Sequence, residues 1–482
     1  MTARVRLFAA ALTALLAMGQ TQRNTSMELE LKISKTRFIL RESLRVDVVV
    51  HNRGGTSVEV PAIASNANRA LSYHLTGTSF DKEFVFYYAA SGAMVRPGPP
   101  AMEPLPPGQS MNEPLAIEGY VNNWKPGKHT LYAQLETGGV QLKSNRLEFE
   151  ILRSTVRSAQ VMPEITEAGS GSMRILFMAE SAGVNRLYQA FLPEISPDIE
   201  TSGKGSFNEV FEVPAEATGA VGMWTNFSRS GGMFIPRYGW QSKDSVAVQE
   251  MGSPAVMLSA ADGTLVRPAM LNQASDALLL RWQGPRAALT RIARGGVPTE
   301  VWSAKLPFTP VSGRAFLANE LDVSAVFAGE QEGKVVLAVV REGKVRATVK
   351  IERAVLLPES EPGFTVGADG SVKASILVSD PADKHLVSSI EWQSGKLVSN
   401  VKKGQPFRLA ADAVAAAAIY AGGRHEWVIL MADGKVVNNY DPTRPRTVYG
   451  TPARPLQLLP RKTATFLLAT HPDEMVCVNR LF

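Results

Sequence analysis

The sequence predicts an all-β protein in which a β-sandwich is followed by a β-propeller. Four short strands follow one another within Gly363–Val401, which is about the length of one propeller blade. Glycine turns recur at positions 263, 295, 343, 395 and 434, roughly thirty to fifty residues apart, as in a blade repeat. The preceding segment, Met27–Ile151, reads as about seven short strands separated by turn signals.

Length and composition exclude several classes of protein. A chain of 482 residues is too long for one ordinary core, and 45% hydrophobic with 20% charged residues indicates a globular protein. The formal charge is +6, but the basic residues are scattered along the chain. Nucleic-acid-binding proteins usually concentrate their basic residues on one face, so we expect no nucleic-acid partner.

Residues 1–19 have the features of a secretory signal peptide. Arg4 and Arg6 precede an apolar run, Leu7–Met18, that is too short to span a bilayer comfortably. Ala17 and Gly19 are the small residues that a cleavage site requires. The alternative is a retained N-terminal anchor helix. We expect an exported protein, periplasmic or secreted, with no transmembrane segment in the mature chain.

Residues 20–152 form the predicted sandwich. Its turn signals include Leu105-Pro-Pro-Gly108, and the run Pro126–Ala133 has the order P-G-x-x-x-L-Y-A. The order of its turn and strand motifs resembles that of the immunoglobulin-like domains at the N-terminus of exported bacterial proteins. Such domains often carry a corner tyrosine where this chain has His129. We expect His129 to replace that tyrosine in packing, because its neighbours supply no metal-ligand pattern.

Residues 153–172 are polar and rich in glycine and serine near their end, which predicts a linker. Within them, Gln160–Glu167 is the candidate strand that closes the ring, because the last repeat ends short of four strands. Residues 173–482 form the predicted propeller of seven four-stranded blades, or eight if Gly222–Trp240 is a further blade and not an insertion. The repeats resemble the WD-repeat and quinoprotein-like class in architecture, without its sequence signatures.

No catalytic, metal-binding or cofactor-binding motif is present. The nucleophile pattern Gly-x-Ser-x-Gly and the phosphate-binding glycine loop are both missing from the sequence. His425-Glu426 begins a zinc-protease pattern, but Ile429 stands where the second histidine is required. We therefore predict no catalytic residue, no metal and no cofactor.

The stretch Asn438–Lys462 is the strongest candidate for binding. It combines five prolines with tyrosines and basic residues, and it is long for a connector between blades. The alternative is a proline-stiffened surface crossover. The predicted binding residues are Tyr440, Arg444, Arg446, Tyr449 and Arg454, together with Trp124 on the sandwich.

Two functions remain open at this point. The first is an exported, non-catalytic binding protein whose propeller face and sandwich bind a protein, a glycan or a cell-envelope ligand. The alternative is a propeller enzyme of glycosidase, lyase or lactonase type, whose site residues come singly from different blades and line the central funnel. The side chains that line the central funnel would distinguish the binding protein from the enzyme.

Cleavage of the signal peptide is directly testable. We expect it after Gly19, which leaves Gln20 as the first residue of the exported protein. Mass spectrometry of the protein recovered from the exported fraction measures this, and an intact Met1 contradicts it.

Overall fold

The computed structural model is all-β in the residues that it describes. These are residues 27–62, 70–87, 101–121, 124–137, 139–161, 173–192, 207–223, 236–250, 252–261, 263–271, 276–293, 296–319, 322–366, 371–394, 399–421, 424–439, 442–447, 454–460, 465–470 and 476–480. One turn of 3-10 helix, Glu118–Tyr120, interrupts the strands. The chain divides into two compact units, Met1–Arg153 and Ser154–Phe482.

The first unit contains eleven described strands. They are β1 (Met27–Ile33), β2 (Arg37–Ile39), β3 (Arg45–Asn52), β4 (Val58–Pro61), β5 (Leu71–Gly77), β6 (Phe84–Tyr87), β7 (Met102–Leu105), β8 (Ser110–Ala116), β9 (Gly127–Thr137), β10 (Val140–Lys143) and β11 (Leu147–Leu152). One sheet has the order β1-β3-β8, a second has the order β2-β11-β9-β5-β6 with β10 on β9, and β4 pairs with β7. All these pairs are antiparallel except β2 with β11, which is parallel.

The core of the first unit lies between its two larger sheets. Side chains on a strand point alternately to its two faces, so alternate residues share one buried face. Strand β1 contacts β9, β10 and β11 of the second sheet. The buried residues of these two sheets include Leu29, Leu31, Val46, Val48, Leu131 and Leu135.

The second unit contains seven described sheets. The first four are β12 (Thr155–Val161), β13 (Met173–Ser181), β14 (Val184–Leu192) and β15 (Phe207–Val213); β16 (Gly219–Met223), β17 (Arg237–Gln241), β18 (Ser245–Glu250) and β19 (Val256–Ser259); β20 (Leu265–Leu271), β21 (Ala277–Gln283), β22 (Arg286–Ile292) and β23 (Pro298–Lys305); and β24 (Pro310–Asn319), β25 (Asp322–Gln331), β26 (Lys334–Arg341) and β27 (Lys344–Ile351).

The last three sheets follow in chain order. They are β28 (Val355–Leu356), β29 (Gly363–Val366), β30 (Val372–Asp380), β31 (Asp383–Ser394), β32 (Ser399–Lys403) and β33 (Phe407–Arg408); β34 (Ala413–Ala421), β35 (Arg424–Met431), β36 (Lys435–Asn438) and β37 (Arg446–Thr447); and β38 (Arg454–Pro460), β39 (Thr465–Thr470) and β40 (Val476–Arg480). In the fifth sheet, β28 and β29 both pair with β30, and β32 and β33 both pair with β31.

Tight turns join the second and third strands of these sheets. In one such turn, φ is 51° at Ala182 and 78° at Gly183. In another, φ is 53° at Glu332 and 72° at Gly333. Two successive positive φ angles belong to the turn type that matches the twist of antiparallel strands. Each of these sheets is therefore an antiparallel meander built from local hairpins.

The first strands of the seven sheets contact one another in a closed cycle. Contacts run from β12 to β16, β20, β24, β29, β34 and β38 in turn, and β38 contacts β12 again. The side chains of β12 take part, because Ser158 Oγ accepts a hydrogen bond of 2.8 Å from the Ala220 N–H of the second sheet. A cycle made by the first strands places those strands innermost and the last strands outermost, which is the arrangement of a β-propeller.

The segment just before β29 of the fifth sheet lies close to β34, the innermost strand of the sixth sheet, and Glu361 of this segment forms a bridge with Ala417. The Glu361 N–H donates to the Ala416 carbonyl at 3.1 Å, and the Ala418 N–H donates to the Glu361 carbonyl at 3.3 Å. A Cβ added at Gly363 would lie 2.5 Å from Ser375 Oγ of its own sheet and 2.9 Å from the Ala418 carbonyl oxygen of the sixth sheet. Glycine at 363 therefore fits both the packing within its sheet and the spacing between these two sheets.

The strands predicted within Gly363–Val401 are present as β29, β30, β31 and β32 of the fifth sheet. The predicted glycine turns do not all occupy the same position in their sheets. Gly263 lies between β19 and β20, which belong to different sheets, whereas Gly434 lies between the second and third strands of the sixth sheet. Gly222–Trp240 contributes to β16 and β17, the first two strands of the second sheet.

The predicted linker 153–172 was wrong over Thr155–Val161, which forms the innermost strand of the first sheet. Gln160 and Val161 pair with Leu176 and Ile175 of β13, so they do not complete the last sheet. Residues 162–167 of the candidate ring-closing strand lie outside the described residues. Contact of β12 with β38 and β39 joins the first sheet to the last one.

Two glycine substitutions test the close approach of the innermost strands. Gly363→Ala places a Cβ against Ala418, and overpacking of this kind costs roughly 1–3 kcal/mol of unfolding free energy. Gly219→Ala is the matched control, because it also lies on an innermost strand and its Cβ meets nothing within 4 Å. Chemical unfolding of the full chain measures both. Equal stability of the two variants contradicts the close approach.

Candidate functional site

The structure separates the predicted binding residues of Asn438–Lys462. Arg444 is exposed in the turn before β37, and Arg446 begins that outermost strand of the sixth sheet. Arg454 begins β38, the innermost strand of the seventh sheet. The stretch is therefore not one long connector, because it contains two strands. Tyr440 and Tyr449 lie outside the described residues, and the assignment of this binding patch stays a prediction.

Trp124 packs within the first unit. Its ring lies edge-on to Phe80, His129 and Phe149, with centroid distances of 5.9, 5.2 and 6.1 Å. The side chain is half-buried, and its indole nitrogen is shielded from solvent. These contacts give the Trp124 ring a packing role in this aromatic cluster.

His129 lies at the centre of the same cluster and is 2% exposed. Its Nδ1–H donates to the Gly127 carbonyl at 3.0 Å, and Nε2 accepts from the Ser79 hydroxyl at 2.7 Å. The ring also stacks on Phe149 at 5.5 Å. These partners require the neutral imidazole, and burial lowers the pKa of His129 below its usual 6.5. The position serves packing, as the sequence analysis expected.

The stability contributed by His129 depends on pH. Because its folded pKa is depressed, this contribution is complete above the unfolded value near 6.5 and falls as the pH drops through it. His129→Phe removes the titrating group, and leaving Ser79 without its acceptor costs roughly 1–3 kcal/mol at pH 8. Urea unfolding at pH 8 and pH 5 should show a smaller difference between wild type and variant at pH 5. A difference that does not change with pH contradicts this.

The innermost strands of the ring have an unusual charge composition. None of the innermost strands described here contains an aspartate, glutamate, histidine or lysine. Their charged residues are Arg157, Arg267, Arg314 and Arg454. Sequence reasoning missed this pattern, because it appears only once the innermost strand of each sheet is known.

Two of these arginines have described side chains, and both are exposed. Arg157 pairs with Glu180 of β13, and its side chain is 52% exposed. Arg314 lies in the middle of β24, where Val326 of β25 is its partner in the ladder. The structure gives Arg314 no hydrogen bond or ion pair to any residue that it describes. The Arg314 side chain is therefore accessible to solvent in the middle of an innermost strand.

Aliphatic side chains accompany the arginines where the innermost strands begin. Leu265, the first residue of β20, is 47% exposed, and Val311, the second residue of β24, is 58% exposed. Strands β20 and β24 contact each other, so these side chains occupy neighbouring positions around the opening. Large exposed apolar residues that lie together commonly mark an interaction site. We call Arg157, Leu265, Val311 and Arg314 the central surface.

Two carboxylates at ends of the second and third strands of their sheets are held in ion pairs. Glu250 lies 3.0 Å from the buried guanidinium of Arg237, and Asp276 lies 2.6 Å from Arg291. These acids hold strand ends together within their own sheets.

A polar cluster joins the fifth sheet to the segment before the sixth. Asp412 accepts hydrogen bonds from Lys384 Nζ at 2.7 Å and pairs with His385 Nε2 at 2.6 Å. These two bonds lower the pKa of Asp412. All three side chains are partly or largely exposed, so this is a surface ion-pair network.

The described residues contain no group of histidine, cysteine and acidic side chains that could hold a metal ion. Among the helices in the same part of the chain, none is long and apolar enough to cross a membrane.

Comparison with known proteins gives structural likeness only. No protein-family model matches the chain, and no curated protein matches it. Among solved structures, BBS1N in complex with ARL6DN has a TM-score of 0.40 at 12% identity, covering 69% of this chain and 93% of that one. NanB sialidase from Streptococcus pneumoniae has a TM-score of 0.31 at 8% identity, covering 84% and 90%. SapL1 lectin has a TM-score of 0.31 at 14% identity, covering 67% and 96%. Likeness at this level carries no argument about activity or ligand.

Proposed function

We propose that the chain is an exported, non-catalytic binding protein that recognises a protein or glycan partner through the central surface. One observation carries the proposal: the described innermost strands offer exposed arginine and aliphatic side chains and no carboxylate or imidazole. Acid–base catalysis needs a group that can give or take a proton near neutral pH, and arginine remains protonated there. The same surface is suited to contact and charge pairing.

The proposal includes a finer architecture for each unit. We assign the seven sheets as seven blades, supported by the cycle of contacts among their first strands. We assign the first unit as an immunoglobulin-like sandwich, supported by its two facing sheets and by the parallel pairing of β2 with β11. The export of the chain rests on the signal-peptide features of residues 1–19.

The alternative, a propeller enzyme, requires acids or histidines that converge on the central opening. Three such groups in the described part of the second unit are held in ion pairs. Glu250 and Asp276 are paired with arginines of their own sheets, and His425 lies between sheets, 3.6 Å from Glu391. No described feature favours catalysis over binding.

Site-specific photocrosslinking tests the proposed function. A photoreactive phenylalanine analogue at Leu265 should form a crosslinked adduct with a macromolecule when the full chain is expressed in its own cells. The same analogue at Met257 is the matched control, because Met257 is 53% exposed but lies on β19, the outermost strand of its sheet. Electrophoresis of the purified chain measures the adducts.

Two results contradict the proposed function. One is an absence of adducts at Leu265, or adducts of equal yield at Leu265 and Met257. The other is turnover of glycoside or lactone substrates by the purified full chain above a heat-inactivated sample, which would favour the enzyme.

A further inference from the structure

We infer that the central surface binds an extended peptide segment that carries both acidic and aliphatic side chains. This inference rests on the proposed function and narrows its partner to one chemical class. Carboxylates of the peptide would pair with Arg314 and Arg157, and its aliphatic side chains would pack on Leu265 and Val311.

The positive charge of the central surface indicates that the partner is negatively charged. Arg157 and Arg314 are exposed on described innermost strands, and these strands contain no acidic residue. Such exposed positive charges attract anionic groups and repel cations. Glu180 on the neighbouring strand compensates Arg157. Arg314 has no such compensation from the described residues, so it is the principal site for a carboxylate. A guanidinium presents its donors in a planar fork that matches a carboxylate geometrically.

The positions of the two arginines favour an extended ligand. Arg157 lies opposite Met178 and Ala179, close to the hairpin turn at Ala182. Arg314 lies opposite Val326, farther from the corresponding turn at Glu332. The two guanidinium-bearing positions therefore differ in depth along the opening. One compact anion does not reach both, whereas a chain of several residues spans such a distance.

The exposed apolar residues favour a peptide over a sugar. In the described part of the second unit, the large apolar side chains that are exposed are all aliphatic or methionine: Met257, Leu265, Val297, Val301, Val311 and Val401. Burial of sugar hydroxyl groups against Leu265 and Val311 would leave those hydroxyls without hydrogen bonds, which is costly. Burial of leucine or valine side chains there is favourable.

Fluorescence anisotropy of the full chain tests the inference. The probe is a fluorescein-labelled peptide of three Leu-Glu-Gly repeats, compared with a Leu-Lys-Gly peptide and a labelled oligogalacturonate. We expect the acidic peptide to bind and the basic one not to bind. Arg314→Glu should weaken binding of the acidic peptide about tenfold or more, because the new carboxylate repels the ligand. Added salt should weaken binding as well.

Lys344→Glu is the matched control. It makes the same change of charge in the same sheet, but Lys344 is exposed on the outermost strand, β27. Its affinity for the acidic peptide should stay within about twofold of wild type, because exposed charges beyond a screening length interact weakly. Thermal melting of both variants shows whether each is folded.

The outcomes separate this inference from the proposed function. Binding of the oligogalacturonate but not of the acidic peptide overturns the peptide class and leaves a binding protein. Equal effects of Arg314→Glu and Lys344→Glu overturn the central surface as the peptide site. Absence of binding to either anionic probe, with crosslinking at Leu265 intact, overturns only the acidic character of the ligand.

Discussion

The close approach of the innermost strands is the constraint on which the second unit depends. Seven sheets that converge on one axis leave little space between their first strands. The sixth sheet meets this requirement with a run of alanines, of which Ala415, Ala416, Ala417 and Ala418 are all buried. Larger side chains at such positions would hold neighbouring sheets apart, and a packed interior accommodates added volume poorly. The constraint therefore selects small residues.

The arginines on the innermost strands do not fit this requirement for small side chains. An arginine loses rotamer freedom when it is confined and needs water or a partner for its charge. Like charges near one axis also repel one another. Arg314 has neither a described partner nor a packing role that would explain it, whereas Arg157 is held by Glu180. In the free chain solvent hydrates the exposed guanidinium of Arg314, and the proposed ligand carboxylate would take the place of that water.

The sequence predicted local features well and long-range ones poorly. The hairpins of Gly363–Val401 were predicted because their turns and strands are adjacent in the chain. Thr155–Val161 was mistaken for linker because Arg157, Ser158 and Gln160 make it polar. Those side chains face an opening and a neighbouring sheet, which no local pattern reveals. Trp124 stays a predicted binding residue, but the sequence does not show that Phe80 and Phe149 pack against its ring.

The central surface could not be predicted because it depends on the phase of the repeat. The glycine turns revealed the repeat length, but Gly263 and Gly434 occupy different positions in their sheets, so they do not identify the innermost strand. Strand composition identifies it better. The described innermost strands contain no acidic residue, histidine or lysine. A strand packed closely between neighbouring sheets disfavours side chains that need hydration or a polar partner. An arginine on such a strand is an exception to this composition. Residues that depart from the packing requirements of their position are good candidates for binding sites.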